Sequence, residues 1–237
     1  MVVNQPKWGA KLAFACVLAL ICVVLAVYSI VGFGIFQSTS WHIQLDLPFP
    51  IYIVVGPIVQ VILLTITLMF ARYKRASLKE LGLKRTSPKI LASTSVALIP
   101  LFLSTVVVTG VLTTVFGPDP MAEAYTEAAM PRDVLQLVAY VVISLVLVGP
   151  VEELAFRGFV QQGFENSFGK MKGLLIASVL FGLPHLASYP YNAATAFANG
   201  LVLGYVWQKT GQNTTATAVI HGIFDSIGVI LVYFSVI

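Results

Sequence analysis

Apolar runs long enough to cross a bilayer recur along the chain, separated by short polar stretches. At a rise of about 1.5 Å per residue, roughly 20 apolar residues cross the hydrocarbon core. Each run therefore predicts a transmembrane helix. The first covers 12–36, behind Lys7 and Lys11, the second 50–71 and the third 90–116. The fourth is unusually long, 132–164, and contains Pro150. That proline leaves the carbonyl of Val146 without its helical donor and favours a kink. A short fifth run, 173–187, is broken near its end by Pro184; a sixth follows at 193–208, and the last begins at 215.

The polar stretches orient these spans. Arg72, Lys74, Arg75, Lys79, Lys84, Arg85 and Lys89 crowd into one loop, 72–89, and positive loops mark the cytoplasmic side. Lys170, Lys172 and Lys209 place two further turns on that side. Residues 37–48 carry no Lys or Arg and are expected outside, with His42 a solvated loop histidine. The segment 117–133 sets Asp119, Glu123, Glu127 and Asp133 against Arg132, which suits a short interfacial helix on the outer face. The first run exceeds the apolar core of a signal peptide, so it reads as an anchor with a cytoplasmic N-terminus. The expected fold is an all-α polytopic transmembrane bundle of about seven spans, with a range of six to eight. It divides into an N-terminal part, 1–131, and a second bundle, 132–237.

Composition agrees. Hydrophobic residues make up 58% of the 237 and charged residues 10%, against roughly 25% charged in soluble domains. Mean hydropathy is +0.90. The net charge of +4 sits mostly in the 72–89 loop, a pattern that excludes nucleic acid and suits anionic lipid headgroups. Cys16 and Cys22 lie in the first apolar run and act as small apolar residues.

Three polar clusters interrupt the apolar runs of the second half: Glu152 with Glu153 and Arg157, then His185, then His221 with Asp225. Ionisable groups inside a membrane are costly and mark functional sites. Counted along their helices, all three fall within one layer of the inner half of the bilayer. Glu153 and Arg157 are spaced i and i+4, acid first, the favourable order for an intrahelical ion pair. Glu152 points about 100° away and is left as the free carboxylate. A free Glu, two His and an Asp suit attack by water on a carbonyl. Glu152 takes the proton, His185 shares the water, and His221 with Asp225 serves the oxyanion directly or by fixing the imidazole tautomer. Glu152, His185 and His221 also form a catalytic zinc set, though no H-E-x-x-H signature accompanies them. The cofactor is thus none or Zn2+.

These residues resemble a known family. EELAFR, Glu152 to Arg157, is similar to the EExxxR motif of the CPBP intramembrane proteases, also called the Abi or type II CAAX prenyl endopeptidase family. FGLPH, ending at His185, resembles its FxxxH motif, and HGIFD, His221 to Asp225, its HxxxN/D motif. The stretch from Asn199 to Gly211, with Gly200 and Gly204 as a GxxxG, resembles the segment before the last motif. The resemblance spans roughly 134 to 230. It implies a multi-pass endopeptidase of the cell membrane acting on a membrane-associated or lipidated protein, with Glu152 as base beside His185. It also implies that His221 and the residue four further on stabilise the oxyanion. Eukaryotic-type CAAX enzymes carry Asn where this chain has Asp225. An ionised Asp cannot donate, so Asp225 is protonated, orients His221, or binds a metal. A non-catalytic adaptor or self-immunity protein on the same fold is the alternative, favoured by loss of Glu152 or a motif histidine. Both are retained. A proton-coupled transporter requires polar residues along a path through the membrane, whereas here they gather in one layer.

Overall fold

A computed structural model describes residues 7–40 and 51–236. The helices are α1 (Ala10–Ser40), α2 (Ile51–Tyr73), α3 (Pro88–Ser95), α4 (Leu98–Phe116), α5 (Pro120–Ala129) and α6 (Val134–Ile143). After them come α7 (Gly149–Glu153), α8 (Gln162–Phe168), α9 (Lys170–Gly182), α10 (Pro190–Lys209) and α11 (Thr214–Val236). Among the described residues there is no strand. Among the described residues, six helical stretches are long and apolar enough to cross a membrane: Ala10–Ile30, Tyr52–Tyr73, Pro88–Phe116, Val134–Phe168, Lys170–Ala187 and Thr214–Ser235. The protein is a polytopic helical membrane bundle. Most of the outer loop expected at 37–48, His42 included, lies outside the described residues, and α1 runs on to Ser40.

The run expected to span at 193–208 is α10, a helix of 20 residues that is less apolar than the six. Its polar residues have partners inside the bundle. Ser104 on α4 donates to Asn199 Oδ1 at 2.7 Å, and Asn199 Nδ2 donates to Thr105 Oγ1 at 3.2 Å. Such interhelical hydrogen bonds hold membrane helices together where lipid offers no hydrophobic drive. The acidic segment 117–133 does contain a short helix, α5, capped by the Asp119 side chain on the amide of Met121.

Helix continuity around Pro150 has a particular solution. Residues Val134–Phe168 form one helical rod, but it widens to π geometry at Ser144–Val148 and again at Leu154–Gln161. The Gly149 amide reaches back to the Ser144 carbonyl, a five-residue step that accommodates the missing proline donor. π turns inside α-helices accompany functional sites, and α7 with its two glutamates lies between these two.

Close helix contact then fixes what faces α7. A Cβ on Gly149 would sit 2.6 Å from the Ala218 carbonyl and 2.8 Å from the Gly222 amide. Only glycine lets α7 and α11 approach that closely. On the other side, Trp8 stacks on Phe159 with centroids 5.0 Å apart and donates its indole N–H to the Phe159 carbonyl at 2.9 Å. The N-terminal segment is thereby keyed to the second π turn.

Candidate active site

Glu153 and Arg157 form the expected ion pair, Nη1 to Oε1 at 2.9 Å, with side chains 0% and 2% exposed. The pair is fully withdrawn into the bundle. Arg157 also stands over the Phe181 ring at 4.3 Å and points Nη2 at the Gly200 carbonyl, 3.4 Å away. The GxxxG of α10 explains that last contact, because Gly200 packs directly on Ser178 of α9 and leaves its carbonyl within reach. Cation–π and carbonyl contacts spread the charge of a guanidinium that water cannot reach.

The same Glu153 oxygen receives His221. His221 Nδ1 lies 3.0 Å from Glu153 Oε1. A carboxylate accepts only, so Nδ1 carries the proton and donates. The tautomer is set from behind, as second-layer carboxylates set metal-site and triad histidines. The other ring edge, Nε2, lies 3.6 Å from Asp225 Oδ2 and 3.9 Å from Glu152 Oε2. Both distances are ion-pair separations rather than hydrogen bonds.

His185 sits on a 3-10 turn, Leu183–Ala187, that continues α9 across Pro184. Its Nδ1 is 2.9 Å from the Phe181 carbonyl, which can only accept, so the ring donates there and presents Nε2 as an acceptor. Phe181 packs against both imidazoles, 5.0 Å from His185 and 5.9 Å from His221. The phenylalanine of the FGLPH motif is therefore the common wall of the two histidines and the arginine.

Glu152 is turned away from its neighbour, as helical spacing requires, yet it is not the free carboxylate expected from the sequence. Gln60 of α2 donates Nε2 to Glu152 Oε1 at 2.8 Å. One carboxylate oxygen is thus engaged, and Oε2 remains on the His221 side. Reasoning from the sequence passed over Gln60. The signal was there: a lone glutamine in the apolar run IVVGPIVQVILL is itself an intramembrane polar residue.

Glu152, His185, His221 and Asp225 line a single cavity of about 300 Å³, whereas Glu153 and Arg157 stand behind its wall. Most of the remaining lining is aromatic and aliphatic, with Tyr28, Tyr52, Phe156 and Phe224 among it, and Gln60, Ser188, Asn192 and Asn199 add polar side chains. The candidate zinc ligands Glu152, His185 and His221 do not assemble into a metal-binding group. Among the described residues, no three or more His, Cys, Asp or Glu side chains are so disposed. His185 Nδ1 and His221 Nδ1 are engaged by Phe181 and Glu153, which leaves Nε2 of each ring unengaged by those partners.

Residues 134–227 match the family described as type II CAAX prenyl endopeptidase Rce1-like. No curated protein and no solved structure matches the chain. The matched stretch holds all three motifs and the Glu152, His185, His221 and Asp225 side chains of the cavity just described. That match supports a relation of this stretch to the CPBP/CAAX protease family.

Proposed function

We propose that the chain hydrolyses a peptide bond of a membrane-associated or lipidated protein by glutamate-activated water. The observation that carries this reading is one cavity lined by the carboxyl groups of Glu152 and Asp225 and the imidazoles of His185 and His221. Water enters between Glu152 Oε2 and the acceptor edge of His185. Glu152 takes a proton as the water oxygen bonds to the scissile carbonyl carbon, and the carbonyl oxygen becomes an oxyanion. His221, held by Glu153 through Nδ1–H, turns Nε2 toward the cavity; as an imidazolium, protonated on both nitrogens, it donates from Nε2 to the oxyanion. Asp225, 3.6 Å from that nitrogen, orients the ring edge. When the tetrahedral intermediate collapses, the C–N bond breaks and Glu152 returns its proton to the leaving nitrogen. A carboxylic acid and an amine result. Arg157 balances Glu153 and never meets substrate.

The division of labour is then a catalytic bundle within 132–237 and N-terminal helices within 1–131 that close the cavity from α1 and α2. An apolar wall suits an extended membrane-bound peptide or its lipid chain. In this reading the N-terminus and the basic loop 72–89 are cytoplasmic, and the site lies in the inner half of the bilayer.

The test compares membranes holding wild type or Glu152→Ala at matched expression, reading newly formed peptide termini by mass spectrometry. Specific termini are expected with wild type, and Glu152→Ala should lower their rate of appearance about 10²- to 10⁴-fold. Identical profiles for the two proteins refute the proposal.

A further inference from the structure

Gln60, which hydrogen-bonds Glu152, lies outside both the three motifs and the matched residues 134–227. It sits in mid-α2, 6% exposed, and lines the cavity. Its amide nitrogen donates to Glu152 Oε1 at 2.8 Å, while its amide oxygen is buried with no hydrogen-bond partner. A buried carbonyl without a partner is unfavourable, and native structures keep few of them. A contact selected for stability would satisfy both ends of the amide, or would be a leucine or methionine packed between α2 and α7. Gln60 is instead satisfied only where it meets the catalytic carboxylate.

We propose that Gln60 is a positioning residue for Glu152, a further part of the hydrolytic site contributed by the N-terminal helices. This rests on the peptidase reading above. Its N–H fixes one carboxylate oxygen and so sets the rotation of the group. The remaining oxygen, Oε2, is presented to the cavity at the height of His221 Nε2, 3.9 Å away. The consequence concerns orientation of the base rather than recognition of the peptide. A base whose carboxylate rotates freely spends less time aligned with the attacking water, and misplacement on the order of 1 Å costs about a hundredfold in rate.

The experiment uses the full chain purified into lipid nanodiscs and a peptide spanning a cut site found with wild type. Gln60→Met keeps length and volume but removes both polar atoms. kcat is expected to fall between about tenfold and a hundredfold with KM within about twofold, while the unfolding midpoint stays level or rises. Gln60→Asn, which keeps the amide one methylene shorter, should recover part of the lost kcat. Unchanged kcat in Gln60→Met overturns the inference and leaves the peptidase reading intact. So does a fall in kcat that tracks a lowered unfolding midpoint, because that is a packing contact. Absence of Glu152-dependent cleavage in wild type overturns both.

Discussion

Each acid in the Glu152–Glu153 dipeptide meets a different cation or donor, and that difference separates their chemistry. Glu153 is 0% exposed and shares one oxygen between Arg157 and His221. Burying such a pair is expensive, and removing one partner leaves the other charged in a place with no water. Arg157→Ala should therefore destabilise the fold by about 3–5 kcal/mol. The double variant Glu153→Gln with Arg157→Met should regain most of that stability, since replacing both charges of a buried pair is often neutral. It should not regain cleavage, because His221 then loses the carboxylate that sets its tautomer. Unfolding midpoints and rates of terminus formation for the three proteins check both halves. Recovery of activity in the double variant would mean that the pair serves folding alone. At this scale the sequence was informative wherever spacing decides a contact. The i, i+4 relation of Glu153 to Arg157 could be read directly. The Gln60–Glu152 bond could not, because it joins residues 92 apart, and no local pattern says which face of α2 meets α7.

Elements place these residues by backbone approach. α7 meets α11 where Gly149 faces Gly222 and the Ala218 carbonyl, and Glu153 then meets His221 at hydrogen-bonding distance, with Glu152 3.9 Å from the same ring. Gly149→Val puts a branched side chain where even a Cβ would lie 2.6 Å from a carbonyl oxygen. The helices must part. A loss of about 1–3 kcal/mol in stability is expected from overpacking, with cleavage lost as His221 moves off Glu153. Gly110 in α4 supplies the contrast, since a Cβ there meets nothing within 4 Å. Gly110→Ala should leave cleavage unchanged and raise helix stability by roughly 0.5–1 kcal/mol. Parallel thermal unfolding and cleavage assays would separate the two glycines; similar losses at both would remove the close-approach argument. Helix positions were legible from the apolar runs, which came within a few residues of α2, α9, α10 and α11. The π turns flanking α7 were not. Pro150 announced a disturbance of the helix, but whether the backbone bends or widens depends on Gly149 and its packing on α11.

The whole molecule is joined by contacts between the N-terminal helices and the matched segment. The cavity takes Leu20 and Val24 from α1 and Gln60 and Leu63 from α2, so residues 134–227 alone would leave it open on one side. α1 is held in place from its first turn. Trp8 binds Phe159, Asn166 Nδ2 donates to the Trp8 carbonyl at 2.9 Å, and Lys7 pairs with Glu80 beyond α2 at 2.8 Å. Glu80 lies outside the membrane and its carboxyl is pulled down to about 2, first by the Lys7 ammonium and then by the amide and hydroxyl of Ser77. A depressed carboxyl contributes its stabilisation above its unfolded value and loses it as pH falls toward the folded one. The anchoring of residues 7–10 should thus hold at neutral pH and loosen between about pH 4.5 and 2, modestly, because both side chains are about 40% exposed and screened by water and salt. Acrylamide quenching of tryptophan fluorescence reports the change, Trp8 being 4% exposed in the anchored state. Quenching should rise through that window in wild type. Glu80→Gln, which cannot titrate, should show the looser value already at neutral pH and little further change on acidification. Superimposable curves for the two proteins would mean that Trp8 and Asn166 hold α1 against the bundle without the ion pair.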